Sequence, residues 1–342
     1  MVKEASEACR RGGIEFGFYL SPWDRNSKLY GTDEYNDYYK KQLTELLTGY
    51  GDIFCVWLDG ACGEGPNGKV QVYDWQRIYD TVRALAPEAV ISVCGPDVRW
   101  VGNEGGKTRK SEFCVVPARL ADAEKTHEKS QHGEGDAAAL KKLNNMDEDL
   151  GSRKVLSMAR DLIWYPAEVD VSIRKGWFWS KNEDRTVKSA RRLFKLYLGS
   201  VGNNCTLLLN VPPTNKGVIH PRDAHALKGM GQAIRKMTEH PIITYRLGEL
   251  QPEQGYIDFD FDSVHKLKYV ILSEEIRKSQ RVEAFELWAK KPNGKMKRIY
   301  KGTVIGMKKI VRLRRGLNCL GVRLVIRQSR STPDIAEIGF YE

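Results

Sequence analysis

Phe54-Cys55-Val56-Trp57-Leu58-Asp59-Gly60 reads as a short apolar strand that ends on a carboxylate and then a glycine. Gly51-Asp52 precedes it and the loop Ala61-Cys62-Gly63-Glu64-Gly65-Pro66 follows, which is how a buried parallel strand is bounded. Asp59 therefore sits at a C-terminal strand end. In barrels of alternating strands and helices that end carries the chemistry, so an acid there is a catalytic candidate. The competing reading is an Asp that caps a helix or turns the loop.

Outward from that strand the pattern repeats. Residues 4–11 read as a helix ended by Gly12-Gly13, 14–20 as a strand, 35–50 as a helix, 74–86 as a helix closed by Pro87, and 90–94 as a third strand. Helix and strand alternating in this way predict a parallel sheet covered by helices, an α/β architecture. Farther along, 186–199 and 222–238 read as helices and 205–211 as a strand. After Pro241 the pattern changes to short alternating strands, among them 256–261, 269–272 and 282–288, with Pro292-Asn293-Gly294 as a hairpin turn. A (β/α) barrel domain over 1–240 and an all-β sandwich over 241–342 are expected.

The chain has 342 residues, 41% of them apolar and 29% charged, and no apolar run reaches the roughly 18 residues of a membrane span. No secretory signal pattern opens it. Seven scattered cysteines show neither zinc nor disulfide spacing and read as free thiols. His127 and His132, in the polar stretch 121–150, read as solvated, with no further ligands at metal spacing. No metal or other cofactor is expected. The net charge of +11 is concentrated late: residues 290–330 carry 14 basic side chains and no acidic one. Such a face suits nucleic acid or another polyanion. Alternation with Ile310, Val311, Leu313, Val322, Leu324 and Ile326 favours the wet side of a sheet, and no nucleic-acid partner is expected.

Glu104 ends the loop after the third strand, so Asp59 and Glu104 are expected on neighbouring strand ends. Two carboxylates there, with Trp23, Trp57, Trp100, Trp177 and Trp179 available to one face, suggest a glycosidase: one acid attacks the sugar, the other protonates the leaving oxygen, and indoles stack on the pyranose. Glu64, Glu112, Glu168 and Asp170 are rivals for the acid role.

The phrases Tyr19-Leu20-Ser21-Pro22-Trp23-Asp24, Trp57-Leu58-Asp59-Gly60, Arg99-Trp100-Val101-Gly102-Asn103-Glu104, Pro166-Ala167-Glu168-Val169-Asp170-Val171-Ser172-Ile173-Arg174, Gly176-Trp177-Phe178 and Leu207-Leu208-Leu209-Asn210-Val211-Pro212-Pro213 stand in one order along the chain. In them the sequence resembles the α-L-fucosidases of glycoside hydrolase family 29, and more closely the branch that cleaves α-1,3 and α-1,4 fucosyl linkages. The resemblance implies a (β/α)8-like TIM barrel followed by a β-sandwich, a fucosylated glycan as substrate, and a retaining mechanism with Asp59 as nucleophile and Glu104 as general acid/base. It also implies sugar contacts from Tyr19, Trp23, Asp24, Trp57 and Trp177, and a periplasmic, extracellular or lysosomal setting. Asp24 as a loop cap, and Tyr19 and Trp177 as core residues, are the competing readings. Arg174 is expected to neutralise Asp170. The family's early histidine segments have no match here, since all six histidines follow residue 126. An N-terminally incomplete barrel with an incomplete fucose pocket is therefore expected. A carbohydrate-binding protein without turnover is the alternative.

Overall fold

The structure is a computed structural model that describes residues 1–110, 112–122, 149–250 and 255–342. His127 and His132 lie outside the described residues. The chain divides into two compact units, 1–100 with 116–166, and 101–115 with 167–342. The change of pattern at Pro241 falls inside the second.

In the first unit, helix α1 (Val2–Gly12) is closed by Gly13, whose φ of 62° is the left-handed turn the double glycine predicts. Strands β1 (Gly17–Tyr19), β2 (Cys55–Leu58) and β3 (Val90–Val93) pair in that order, all parallel. Helices α2 (Glu34–Gly49) and α3 (Trp75–Leu85) connect them. Tyr35, Tyr39, Leu43 and Leu47 recur every fourth residue along α2, so one face of the helix is apolar, and all four are buried. They join Val56, Leu58, Val82 and Ile91 in one core. Gly17 is required where it stands, because a Cβ there would lie 2.7 Å from the Cys55 carbonyl oxygen of the adjacent strand.

The end of β3 is tight. Val93 holds φ 71°, a conformation costly for a β-branched residue. The Asp97 carboxylate accepts the Ile91 amide at 2.7 Å and the Arg83 guanidinium, and the Tyr165 hydroxyl donates to the Gly95 carbonyl at 2.6 Å. These bonds fix the turn from which β4 (Arg99–Trp100) leaves. Strands β5 (Val115–Pro117) and β6 (Leu162–Trp164) pair with each other, and Val116, Leu120, Leu150 and Tyr165 pack together nearby.

In the second unit, β7 (Ala167–Ser172) and β8 (Cys205–Asn210) are parallel, in register from Ala167 opposite Cys205 to Ser172 opposite Asn210. The helix Ala190–Ser200 lies between them in sequence. It starts four residues later than the periodicity predicts, because Ser189 takes the N-cap, its hydroxyl accepting the Arg192 amide, while the Lys188 amide donates to the Ile173 carbonyl. The helix Pro221–Thr238 follows, with Pro221 in its first turn.

Beyond it, seven strands form one antiparallel sheet: β9 (Pro241–Tyr245), β10 (Gly248–Glu249), β11 (Tyr256–Glu274), β12 (Val282–Lys290), β13 (Met296–Gly302), β14 (Lys309–Ser329) and β15 (Asp334–Tyr341). The separate strands expected at 256–261 and 269–272 are one 19-residue strand, bent where its register with β14 shifts between Asp260 and His265 and between Leu267 and Tyr269. Gly294, at φ 77°, turns the hairpin between β12 and β13 as expected. The sheet wraps a core that includes Leu267, Val270, Phe285, Leu287, Ile335 and Phe340. Cations of the 290–330 stretch are tied to carboxylates across the sheet: Arg323 to Asp258, Arg327 and Arg298 to Glu286, Arg330 to Glu283, and Lys290, reaching over β14, to Asp260. The bond from Arg327 helps hold the Glu286 carboxyl at a pKa of about 2.

Candidate active site

The carboxylate predicted at the end of β2 is where the sequence reading puts it. Register pairs Tyr19 of β1 with Trp57 of β2, one residue before the strand closes at Leu58, so Tyr19 arrives beside the first residue past that end. Its hydroxyl donates to Asp59 Oδ2 at 2.6 Å, and the Ala61 amide donates to Asp59 Oδ1. Asp59 thus turns its own loop with one oxygen and receives a phenol on the other. Burial, followed by the bond to Asp59, pushes the Tyr19 phenol well above its usual range, so it remains a proton donor at any physiological pH. Trp57 meets the Tyr19 ring edge-on with centroids 5.4 Å apart, and both rings keep solvent-exposed surface.

Trp23 stands on the loop after β1. Its indole N–H donates to the Glu64 carbonyl at 3.2 Å and its ring lies so close over Gly63 that a Cβ there would come within 2.2 Å of it. Gly63 is therefore required because an indole rests on it, and Gly65 because the Tyr30 ring does, a Cβ there coming within 2.6 Å of that ring. Asp24 Oδ1 accepts the Asn26 and Ser27 amides at 2.8 and 3.0 Å, so the loop-capping reading of Asp24 describes what that oxygen does.

Glu104 belongs to the second unit and is exposed. Its loop is shaped by Asn103, whose Oδ1 accepts the amides of Gly105 and Lys107 and whose Nδ2 donates to the Lys107 carbonyl at 2.9 Å. Gly102 and Gly106 supply the positive φ angles, 97° and 68°, that bring the turn round. Glu104 Oε2 accepts the indole N–H of Trp177 at 3.1 Å. Trp177, expected against the sugar, thus has its polar edge on a carboxylate, as Tyr19 has its hydroxyl on Asp59.

The rival acids are placed differently. Glu112 is buried and accepts both the amide and the guanidinium of Arg109. Glu168 and Asp170 are buried within β7, and Glu64 is an exposed loop residue whose backbone serves Trp23. Arg174, expected to neutralise Asp170, is fully buried with its Nε on Asp223 and its Nη1 on Asp184, each at 2.8 Å. The expectation followed proximity in sequence, whereas β7 ends at Ser172 and the chain past it turns toward the start of the Pro221–Thr238 helix. Burial disfavours the Arg174 charge, and the bonds to Asp223 and Asp184 more than offset it.

The sequence reading gave no role to Ser172 and Asn210, although both stand in its quoted phrases. They are the last residues of β7 and β8, opposite one another in register. Their position at two parallel strand ends was the available signal. Among the described residues no group of three or more His, Cys, Asp or Glu side chains is gathered to hold a metal ion, and no helix is long and apolar enough to cross a membrane.

A family model described as alpha-L-fucosidase matches residues 1–239. The chain is 33% identical over 377 aligned residues to "Alpha-L-fucosidase 1" of Arabidopsis thaliana, an alignment that spans 100% of this chain and 68% of that protein. A crystal structure from Bacteroides ovatus ATCC 8483 is similar with a TM-score of 0.86 and 40% identity, over 99% of this chain and 57% of that one. A glycoside hydrolase 29 family member from an unknown rumen bacterium gives a TM-score of 0.79 and 31% identity, over 99% of this chain and 60% of that one. This chain spans between 57% and 68% of the length of these relatives. The fold is accordingly the (β/α)8-like TIM barrel class with a C-terminal β-domain. By the family match over residues 1–239 and the identity to its relatives, the chain belongs to the α-L-fucosidases of glycoside hydrolase family 29.

Proposed function

We propose that this chain carries the catalytic groups of a retaining exo-α-L-fucosidase acting on terminal α-1,3- or α-1,4-linked fucose of oligosaccharides or glycoconjugates. The observation that carries the proposal is Asp59: within the Trp57-Leu58-Asp59-Gly60 phrase it stands just past the C-terminal end of a parallel strand, with a phenol donating to one of its oxygens. Asp59 is the nucleophile in this reading. An ionised carboxylate attacks the anomeric carbon, and a hydrogen bond to one oxygen fixes the plane of the group and the direction of the other. Glu104 protonates the departing glycosidic oxygen, then, once the fucosyl-enzyme ester has formed, takes the proton of the attacking water. Retention calls for the two carboxyl groups to work about 5–5.5 Å apart. Trp57, Tyr19 and Trp177 supply apolar surface to the fucose ring and its methyl group, while Trp23 and the second oxygen of Asp24 meet the leaving sugar. A periplasmic, extracellular or lysosomal setting, where fucosylated glycans are met, accompanies this reading.

Incubation of the purified chain with an aryl α-L-fucoside tests it. Release of fucose as the α-anomer, followed by NMR before mutarotation, is expected, with Asp59→Asn reducing turnover to background. Glu104→Gln should lower kcat by about 10²–10⁴-fold on substrates with poor leaving groups, the range a general acid supplies. Fucoside binding with no turnover, unaffected by Asp59→Asn, would overturn the reading in favour of a carbohydrate-binding protein.

A further inference from the structure

Glu104 stands on an exposed loop, and an acid that must deliver a proton to one oxygen needs its carboxyl group held in one orientation. Asn103 fixes the backbone of that loop but not the side chain. The side chain is met by Trp177, with indole Nε1 3.1 Å from Oε2. Trp177 is only half-buried and its neighbour Phe178 is 88% exposed, so packing alone does not account for a fixed indole.

Hydrogen bonds from two strand ends do. The Asn210 amide nitrogen donates to the Trp177 carbonyl at 2.9 Å and to Ser172 Oγ at 3.0 Å, spending both of its hydrogens. The Ser172 hydroxyl in turn donates to the Gly176 carbonyl at 2.7 Å. Ser172 and Asn210 face each other as the last pair of the β7–β8 ladder. The carbonyls on either side of the Gly176–Trp177 bond are thereby pinned to the sheet, and the indole follows its backbone.

We infer that Asn210 and Trp177 form a positioning relay for Glu104, in which the indole N–H occupies Oε2 and leaves Oε1 as the oxygen that carries the proton. The inference rests on the reading of Glu104 as the acid/base. An indole N–H donates and never accepts, so it selects the protonation pattern as well as the rotamer: in the neutral acid Oε2 is the carbonyl-like oxygen, and the O–H lies on Oε1. When the proton has left, the same N–H bonds a full carboxylate, a stronger charge-assisted contact. The relay thus supports both halves of the double displacement without moving.

The test reads the indole rather than turnover. The full chain is labelled with 15N-tryptophan and its eight tryptophan indole resonances are followed through a pH titration. One resonance, absent from Trp177→Phe, is expected to move downfield as a carboxyl group ionises, to become flat in Glu104→Gln, and to lose most of its movement in Asn210→Ala. The other seven indoles report that each variant is folded. A Trp177 resonance that does not titrate, or that titrates equally in Glu104→Gln or Asn210→Ala, would overturn the inference. Turnover of an aryl α-L-fucoside is assayed separately. Titration without turnover leaves the relay standing and removes the fucosidase reading, and turnover without titration does the reverse.

Discussion

Tyr19 and Trp177 both join an aromatic face to a single donor that ends on a carboxylate. On Asp59 the donor is a phenol whose pKa is pushed up by burial and by the carboxylate itself, so removing the hydroxyl removes a hydrogen bond to a charged group and little else. Such a bond is worth about 1.5–3 kcal/mol, which is roughly tenfold to a hundredfold in rate. Tyr19→Phe is therefore expected to lower kcat on an aryl α-L-fucoside by that factor while the ring-on-ring contact with Trp57 persists. Unchanged kcat in steady-state assays would show that the Ala61 amide alone orients Asp59. The sequence marked Tyr19 and Trp177 for their rings. That each places its polar edge on an acid was not legible, because a hydrogen-bond partner 40 or 73 residues away depends on register and loop path.

At the scale of elements, the stretch between β7 and the Ala190–Ser200 helix is secured by a buried ion cluster. Arg174 is wholly excluded from solvent and reaches Asp223 in the first turn of the Pro221–Thr238 helix and Asp184 in its own loop. Asp223 gains from the helix N-terminus as well as from the guanidinium. Removing one partner leaves a buried cation undercompensated, which costs about 3–5 kcal/mol. Asp223→Ala should lower the urea midpoint correspondingly with little change in slope, and a loss below about 1 kcal/mol in equilibrium unfolding would show that water reaches Arg174. Elements themselves were largely readable. The four-residue spacing of Tyr35, Tyr39, Leu43 and Leu47 predicts a one-sided helix, whereas the start of the Ala190–Ser200 helix was read four residues early, because periodicity does not register the cap at Ser189. Strand β11 was less so: its alternation continues through two bulges, and a reading by periodicity breaks where the register shifts.

Across the whole molecule, the chain's last residue is tied into the β-domain. His265 bonds Asp262 at 2.7 Å through Nε2 and Glu342 at 2.9 Å through Nδ1. The bonds to Asp262 and then Glu342 raise the imidazole pKa, while the bond from His265 lowers both carboxyls. A raised histidine pKa stabilises the folded state fully below its unfolded value of about 6.5, and that contribution is lost as pH rises through the higher folded value. The lowered carboxyls act in the opposite direction, present above their unfolded pKa near 4 and lost as pH falls through the folded values. A Tm that declines from pH 6 to 8 is expected, and His265→Gln should flatten that decline. An unaltered slope in calorimetry would mean the cluster adds nothing in solution.

What the sequence by itself determined is local and periodic: parallel strands alternating with helices, the strand-rich end after Pro241, a carboxylate at the end of β2, and the ordered phrases of a fucosidase family. The elements depend on residues within a few positions of one another, where backbone sterics and hydrophobic period decide the outcome, and the family on the order of its phrases along the chain. Only the tertiary structure decided that Arg174 takes Asp184 and Asp223 and that Asn210 steadies Trp177 beside Glu104. Those choices are made among many chemically equivalent donors and acceptors, and the winner is the one that chain packing brings within about 3 Å, a distance no spacing along the sequence encodes.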